Sequence, residues 1–270
     1  MLNRLLFLFL TLSSTGVLWA QRSFSLYAGP ALPLYYGDLS DQFHLRTLRG
    51  GAHLGGSAYL LPGISVRLGF TGGVLTGADS LADAKPRQDR NLSFRTPLAE
   101  GSVQLVWEWF PDRRYGKGWK NRPHFSPYLF AGIAGFAFQP QAKLADRWYD
   151  LQPLGTEGQF IHNGGYPAPY KLVQAAFPVG GGLSYRFERT FGVQLEVGYR
   201  TLFTDYLDDV SNIYPDAEKL RQTSGPVAAA LANRSNGIFA DAEKRGNASV
   251  DDSYIVVSCA LVYYLPKKRR

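Results

Sequence analysis

Between Phe191 and Arg200 the chain alternates without a break. Phe191, Val193, Leu195, Val197 and Tyr199 fall on one side, and Gly192, Gln194, Glu196, Gly198 and Arg200 on the other. Successive side chains of a strand point to opposite faces, so this segment has one apolar and one charged face. The apolar face needs a core or a membrane. At Thr204 the alternation stops and an acidic stretch begins, with Asp205, Asp208 and Asp209 close together.

The same pattern, a two-residue period ending in a polar stretch, recurs along the chain. Strands are predicted over Arg22–Leu34, Gly51–Leu60, from Ile64 past Phe70, over Leu98–Phe110, Phe125–Phe138 and Val179–Phe187, from Phe191, and over Asp252–Leu265. In the third, Ile64, Val66, Leu68 and Phe70 oppose Ser65, Arg67, Gly69 and Thr71. In the fourth, Val103, Leu105, Trp107 and Trp109 oppose Glu100, Ser102, Gln104 and Glu108. Short helices are expected in Asp216–Arg221 and in Pro226–Asn233, the second with Pro at a permitted first-turn position. Eight alternating segments separated by turn signals predict an all-β fold: an eight-stranded antiparallel transmembrane β-barrel with short periplasmic turns and long extracellular loops.

Connection lengths sort by side. With the N-terminus in the periplasm, the inward connections are the Pro62–Gly63 turn, the basic stretch 111–124 and the turn at Glu188–Thr190. The outward ones, about 35–50, 76–92, 139–176 and 204–251, are all long. Aromatic residues are expected to form two interfacial girdles. Trp107, Trp109, Phe110, Tyr128, Phe187, Phe191, Tyr263 and Tyr264 fall at the inner ends, and Tyr35, Tyr36, Phe136, Phe138, Phe203 and Tyr206 at the outer ends. A soluble lipocalin-type barrel would show a similar period but put its apolar face inside.

The N-terminus supports export. Residues 1–20 carry Arg4, an apolar run from Leu5 to Leu12 and small residues near Ser13–Gly16, which reads as a signal peptide preceding a mature barrel of residues 21–270. Cys259 is the single cysteine, so no intramolecular disulfide forms. No later segment has the ~18 continuous apolar residues of a spanning helix. Membrane residence therefore requires a barrel.

The face opposite the apolar one carries Arg67, Glu100, Gln104, Glu108, Arg186, Glu196 and Arg200. An eight-stranded barrel is only wide enough inside for side chains, so these are read as a structural ion-pair network that fills the lumen, not as a selectivity lining. The four histidines are scattered without metal-ligand spacing, and no nucleophile elbow, P-loop or calcium loop is present. No catalytic residue, metal site or cofactor is assigned. Asp205, Asp208 and Asp209 offer carboxylate oxygens that calcium accepts, but without the alternating spacing of a calcium loop they read as solvated residues at a strand exit.

The formal net charge is +7, and removing Arg4 with the signal peptide leaves +6. The charge is uneven: the 204–251 loop is acidic, and the predicted periplasmic side is basic. Arg113, Arg114, Lys117, Lys120, Lys267 and Lys268 are candidate docking residues for periplasmic proteins or anionic envelope components. Outer-membrane lipids are the expected surroundings of the wall, and nucleic acid and small-molecule substrates are not expected.

Five motifs, YYGDLSD (35–41), DRNLSFR (89–95), SPYLFAGI (126–133), LGTEGQ (154–159) and TDYLDDVSNIYPD (204–216), occur in an order that resembles the PorG-like outer-membrane proteins of Bacteroidetes-type bacteria, components of the type IX secretion system. The resemblance spans nearly the whole mature chain. It implies an eight-stranded outer-membrane barrel, association with the periplasmic ring of PorK lipoprotein and PorN, and a non-enzymatic role anchoring or organising protein secretion. The alternative from the residues alone is a surface binding or adhesion barrel that holds a ligand with its extracellular loops.

Overall fold

The computed structural model describes residues 24–40, 44–110, 124–162 and 164–266. The strands are β1 (Phe24–Tyr36), β2 (Gly51–Leu61), β3 (Ile64–Ala78), β4 (Ser93–Glu108), β5 (His124–Phe138), β6 (Gln141–Leu144), β7 (Arg147–Asp150), β8 (Val173–Arg186), β9 (Phe191–Leu202) and β10 (Ser253–Tyr264). Short helices are α1 (Lys85–Arg90), α2 (Ala217–Ser224) and α3 (Pro226–Ala232). Eight strands run β3-β2-β1-β10-β9-β8-β5-β4, and β3 pairs with β4 to close the ring. Every pairing is antiparallel. The first and last strands meet along a seam from Ser25↔Tyr264 to Tyr36↔Ser253. Closure leaves no unpaired edge, which is the condition for strands to lie in hydrocarbon.

The wall is inside-out relative to a soluble protein. Leu68, Phe70, Leu105, Leu195 and Val197 each expose half or more of their surface, whereas their neighbours Arg67, Gln104 and Glu196 are buried. Among the described residues, no helix is long and apolar enough to cross a membrane. Apolar residues outside and charged residues inside are the arrangement of a lipid-embedded barrel and the reverse of the lipocalin one.

The short connections behave as the pattern predicts. Pro62–Gly63 is a two-residue turn with Gly63 at φ 82°, a conformation that favours glycine. The Asp216 side chain caps α2 by accepting from Lys219 N at 2.9 Å, and Pro226 opens α3. Other expectations need correction. The 76–92 and 139–176 stretches are not bare loops. β3 and β4 extend to Ala78 and from Ser93 as a projecting hairpin, 85–90 is helical, β6 and β7 form a second hairpin, and β8 begins at Val173.

The girdles also need correction. Trp107, Trp109, Phe110, Phe187, Tyr36 and Phe203 face outward, but Tyr128, Tyr264, Tyr35, Phe136 and Phe138 are buried inside the barrel. In β5 the outward positions are Phe125, Leu129, Ala131, Ile133, Gly135 and Ala137, while four of its rings, Tyr128, Phe130, Phe136 and Phe138, fill the lumen. Glycines opposite make room for these rings. A Cβ on Gly182 would lie 2.5 Å from the Tyr128 ring, and one on Gly180 would lie 2.7 Å from Phe130.

Candidate functional site

The lumen is filled in tiers. In the lower lumen, Arg67 forms an ion pair with Glu196 and lies 5.4 Å from the Tyr27 ring and 5.2 Å from the Tyr128 ring. Tyr128 donates to Glu196 Oε2 at 2.9 Å, and His53 Nε2 stands 4.0 Å from Glu196 Oε1. Above this, Arg200 grips Glu100 with two donors, at 3.1 and 3.3 Å, while Tyr254 donates to the same carboxylate at 2.5 Å. Higher still is an apolar core that includes Leu75, Leu98, Phe136, Phe138, Leu202, Leu207 and Tyr254.

Of the lumen residues named from sequence, the structure brings together Arg67 with Glu196, and Glu100 with Arg200. Glu108 and Arg186 sit apart from both pairs at the inner rim. There Tyr59 donates to Glu108 Oε1 at 3.1 Å, and Arg186 stacks 3.9 Å over the Tyr264 ring. Sequence reasoning missed Tyr27, His53, Tyr128 and Tyr254. Their parity with Arg67, Glu100 and Arg200 in the barrel register was the available signal.

The outer mouth is closed by a folded cap. The 204–251 segment lies over the barrel and is held by buried charge. Asp205, Asp208 and Asp209 are each more than nine-tenths buried, so the solvated reading is overturned. Thr156 and Tyr170 both donate to Asp209, the latter at 2.6 Å. Glu157, wholly buried, accepts from Ser211 N at 2.8 Å and from Arg245 Nη1 at 2.9 Å. Arg90 binds Asp79 with two donors, at 2.7 and 2.8 Å, and also donates to the Asp38 and Arg245 carbonyls. The Tyr35 hydroxyl lies 2.6 Å from Asp208 Oδ2 and 2.9 Å from Asp252 Oδ1. A hydroxyl has one proton to give, so contact with two carboxyls requires a second proton on one of them.

The electrostatics agree. Burial pushes Asp205 up to about 8 and Asp209 up to about 6, and raises Asp208 and Asp252 above the carboxylate range. For Asp208 and Asp252 the neighbouring carboxylates add to the effect. Among the described residues, no group of three or more His, Cys, Asp or Glu side chains has metal-binding geometry. The six docking candidates Arg113, Arg114, Lys117, Lys120, Lys267 and Lys268 lie outside the described residues, as does the signal segment.

Fold and lumen together define an outer-membrane-type eight-stranded β-barrel with a filled interior and a capped outer mouth. No protein-family model matches the chain, and no curated protein matches it in sequence. Among solved structures it is similar to OprG from Pseudomonas aeruginosa, with 11% identity over 90% of this chain and 95% of that one and a TM-score of 0.45. It is similar to Neisserial surface protein A, with 8% identity over 89% and 95% and a TM-score of 0.41. The N-terminal β-barrel domain of Pseudomonas aeruginosa OprF matches with 9% identity over 89% and 97% and a TM-score of 0.36. Likenesses at this level carry no argument about role, and the barrel assignment rests on this chain's own register.

Proposed function

We propose that the protein is a non-enzymatic outer-membrane barrel that anchors or organises a type IX secretion assembly. In this reading it contacts the periplasmic PorK and PorN ring through Arg113, Arg114, Lys117, Lys120, Lys267 and Lys268. The observation that supports it is the convergence of four of the five motifs carrying the PorG-like resemblance. Tyr35 and Asp38, Arg90, Thr156 and Glu157, and the 204–216 stretch come from distant parts of the chain and meet in one buried network. Motifs that interlock in three dimensions mark a shared architecture more strongly than the same letters in a row. The filled lumen fits a scaffold and does not fit a conduit.

The test is a mild-detergent pull-down from outer membranes, using the wild type and a variant with Arg113, Arg114, Lys117 and Lys120 changed to Glu. Ring and secretion proteins that co-elute with the wild type and are lost with the variant support the anchor. A barrel that elutes alone in both cases refutes stable docking.

The ordered cap favours a second reading, a surface-binding barrel. Leu231 of α3 packs with Ala142 and Leu151, so outer segments from distant parts of the chain pack together into one surface on which a ligand could bind. Intact co-purification of the charge-reversed variant, with function lost only on deleting 204–251, supports this alternative.

A further inference from the structure

On the outer wall, at the top of the β3–β4 hairpin, a cavity of about 360 Å³ lies beneath the β1–β2 connection and beside the β6–β7 hairpin. Its charged lining residues are Arg46, Arg49 and Arg95, and its lining contains no carboxylate. Among the described residues, none of the three forms an ion pair with an acid; Asp150 is reached only through Gln141, which accepts from Arg95 Nε at 2.8 Å and donates to Asp150 at 2.6 Å. Arg46 and Arg49 are exposed. Trp148 lies flat against Arg95, with the guanidinium 3.8 Å from its ring centroid. The connection carrying Arg46 and Arg49 is tied down where Thr76 Oγ1 donates to the Thr47 carbonyl at 2.8 Å.

The height and direction of this cavity matter as much as its charge. Arg95 and Thr76 are register partners on the outward parity of β4 and β3, the same parity as Leu68, Phe70, Val103, Leu105 and Trp107. The arginines therefore cap the lipid-facing side of the wall and do not face the lumen. Ordinary strand rise and barrel tilt place Arg95 roughly 30 Å above Trp107 along the barrel axis. A barrel's apolar band is ~25 Å tall, so the site lies just above the hydrocarbon, at headgroup level, where Trp is also favoured.

From charge, chemistry and height together, we infer that Arg46, Arg49 and Arg95 form a clasp for the phosphorylated headgroup of an outer-leaflet lipid. Guanidinium groups bind phosphate through paired hydrogen bonds, and three arginines lining one cavity, none of them ion-paired with an acid among the described residues, call for a multiply charged anion. The apolar surface below the cavity continues into the wall and gives acyl chains a place to lie. This inference depends on the barrel's membrane placement and not on a secretion role.

The test uses the full mature protein in detergent, with native mass spectrometry as the readout and bis-phosphorylated lipid A as the probe. The wild type is expected to retain this lipid at least tenfold better than the dephosphorylated lipid. Arg46→Gln/Arg49→Gln/Arg95→Gln is expected to lose that preference while keeping the heat-modifiable gel mobility of a folded barrel. Equal retention of phosphorylated and dephosphorylated lipid by the wild type overturns the inference without any variant. Displacement by inorganic phosphate at the lipid's own concentration also overturns it, since the site would then bind free phosphate.

Discussion

Arg200 and Glu100 face each other across the barrel with no solvent exposure on either side chain, joined at 3.1 Å between Nε and Oε2. They come from β9 and β4, which share no hydrogen-bonded register, so their pairing spans the lumen from wall to wall. Breaking one partner leaves a buried charge alone. Glu100→Ala or Arg200→Ala is expected to cost about 3–5 kcal/mol, whereas the paired replacement Glu100→Leu/Arg200→Met is expected to come within ~1–2 kcal/mol of the wild type. Denaturant unfolding of the detergent-solubilised barrel measures both. If the single variants match the wild type, the tier adds nothing to stability.

The filled interior predicts electrical silence. Two charged tiers and an aromatic core occupy the lumen below the cap. In planar bilayers the wild type is expected to give no steady unit conductance at either polarity. A stable open level would show that the tiers move aside.

The cap should loosen as pH rises. Asp205 and Asp209 titrate near 8 and 6 in the folded protein, well above the ordinary value of 3.8, and Asp208 and Asp252 are raised in the same direction. Between about pH 4 and pH 8 the folded cap therefore holds more protons than the unfolded segment. Stability falls as pH rises through that window and is greatest below it with respect to these groups. The protection factors of residues 204–212, hydrogen-exchange rates corrected for the intrinsic rise of exchange with pH, are expected to be lower at pH 8.5 than at pH 5. Asp208→Asn, which mimics the protonated acid, is expected to flatten the trend. Equal or higher protection factors at the higher pH would contradict this account.

Cap and wall should come apart separately. Arg245→Ala removes the ionic partner of the buried Glu157, which retains only neutral donors there, and the expected cost of about 3–5 kcal/mol falls on the cap alone. Limited proteolysis should cut within 204–251 while the barrel keeps its heat-modifiable mobility. Simultaneous loss of both would mean that the wall needs its cap to stand.

The eight wall strands were legible because alternation is local: a strand with Leu68 and Phe70 against Arg67 and Thr71 declares its two faces by itself. The ion pairs inside were half legible, since parity placed Arg67 and Glu196 on the same face but could not choose partners across the lumen. The cap was not legible. Asp208 and Asp209 look like solvated loop residues until Tyr35, Thr156 and Tyr170 are folded over them, and those contacts span between 39 and 173 residues of sequence. The inward rings of β5 were not legible from their place near the strand ends, because position along a strand does not fix parity. Alternation shows only that two faces differ, and in β5 the face with the larger side chains is the inner one.

Tyr35 is the penultimate residue of β1, and Asp252 immediately precedes β10, the two strands that meet at the seam. The hydroxyl–carboxyl contact between them can form only after the first and last strands have found each other. Within 204–251, Asp208 accepts from the same Tyr35 hydroxyl and Asn247 N donates to Asp38, so the cap is tied to the outer end of β1 at more than one point. Seam and cap therefore share one hydroxyl: a change at Tyr35 touches the closure of the wall and the closure of the mouth together.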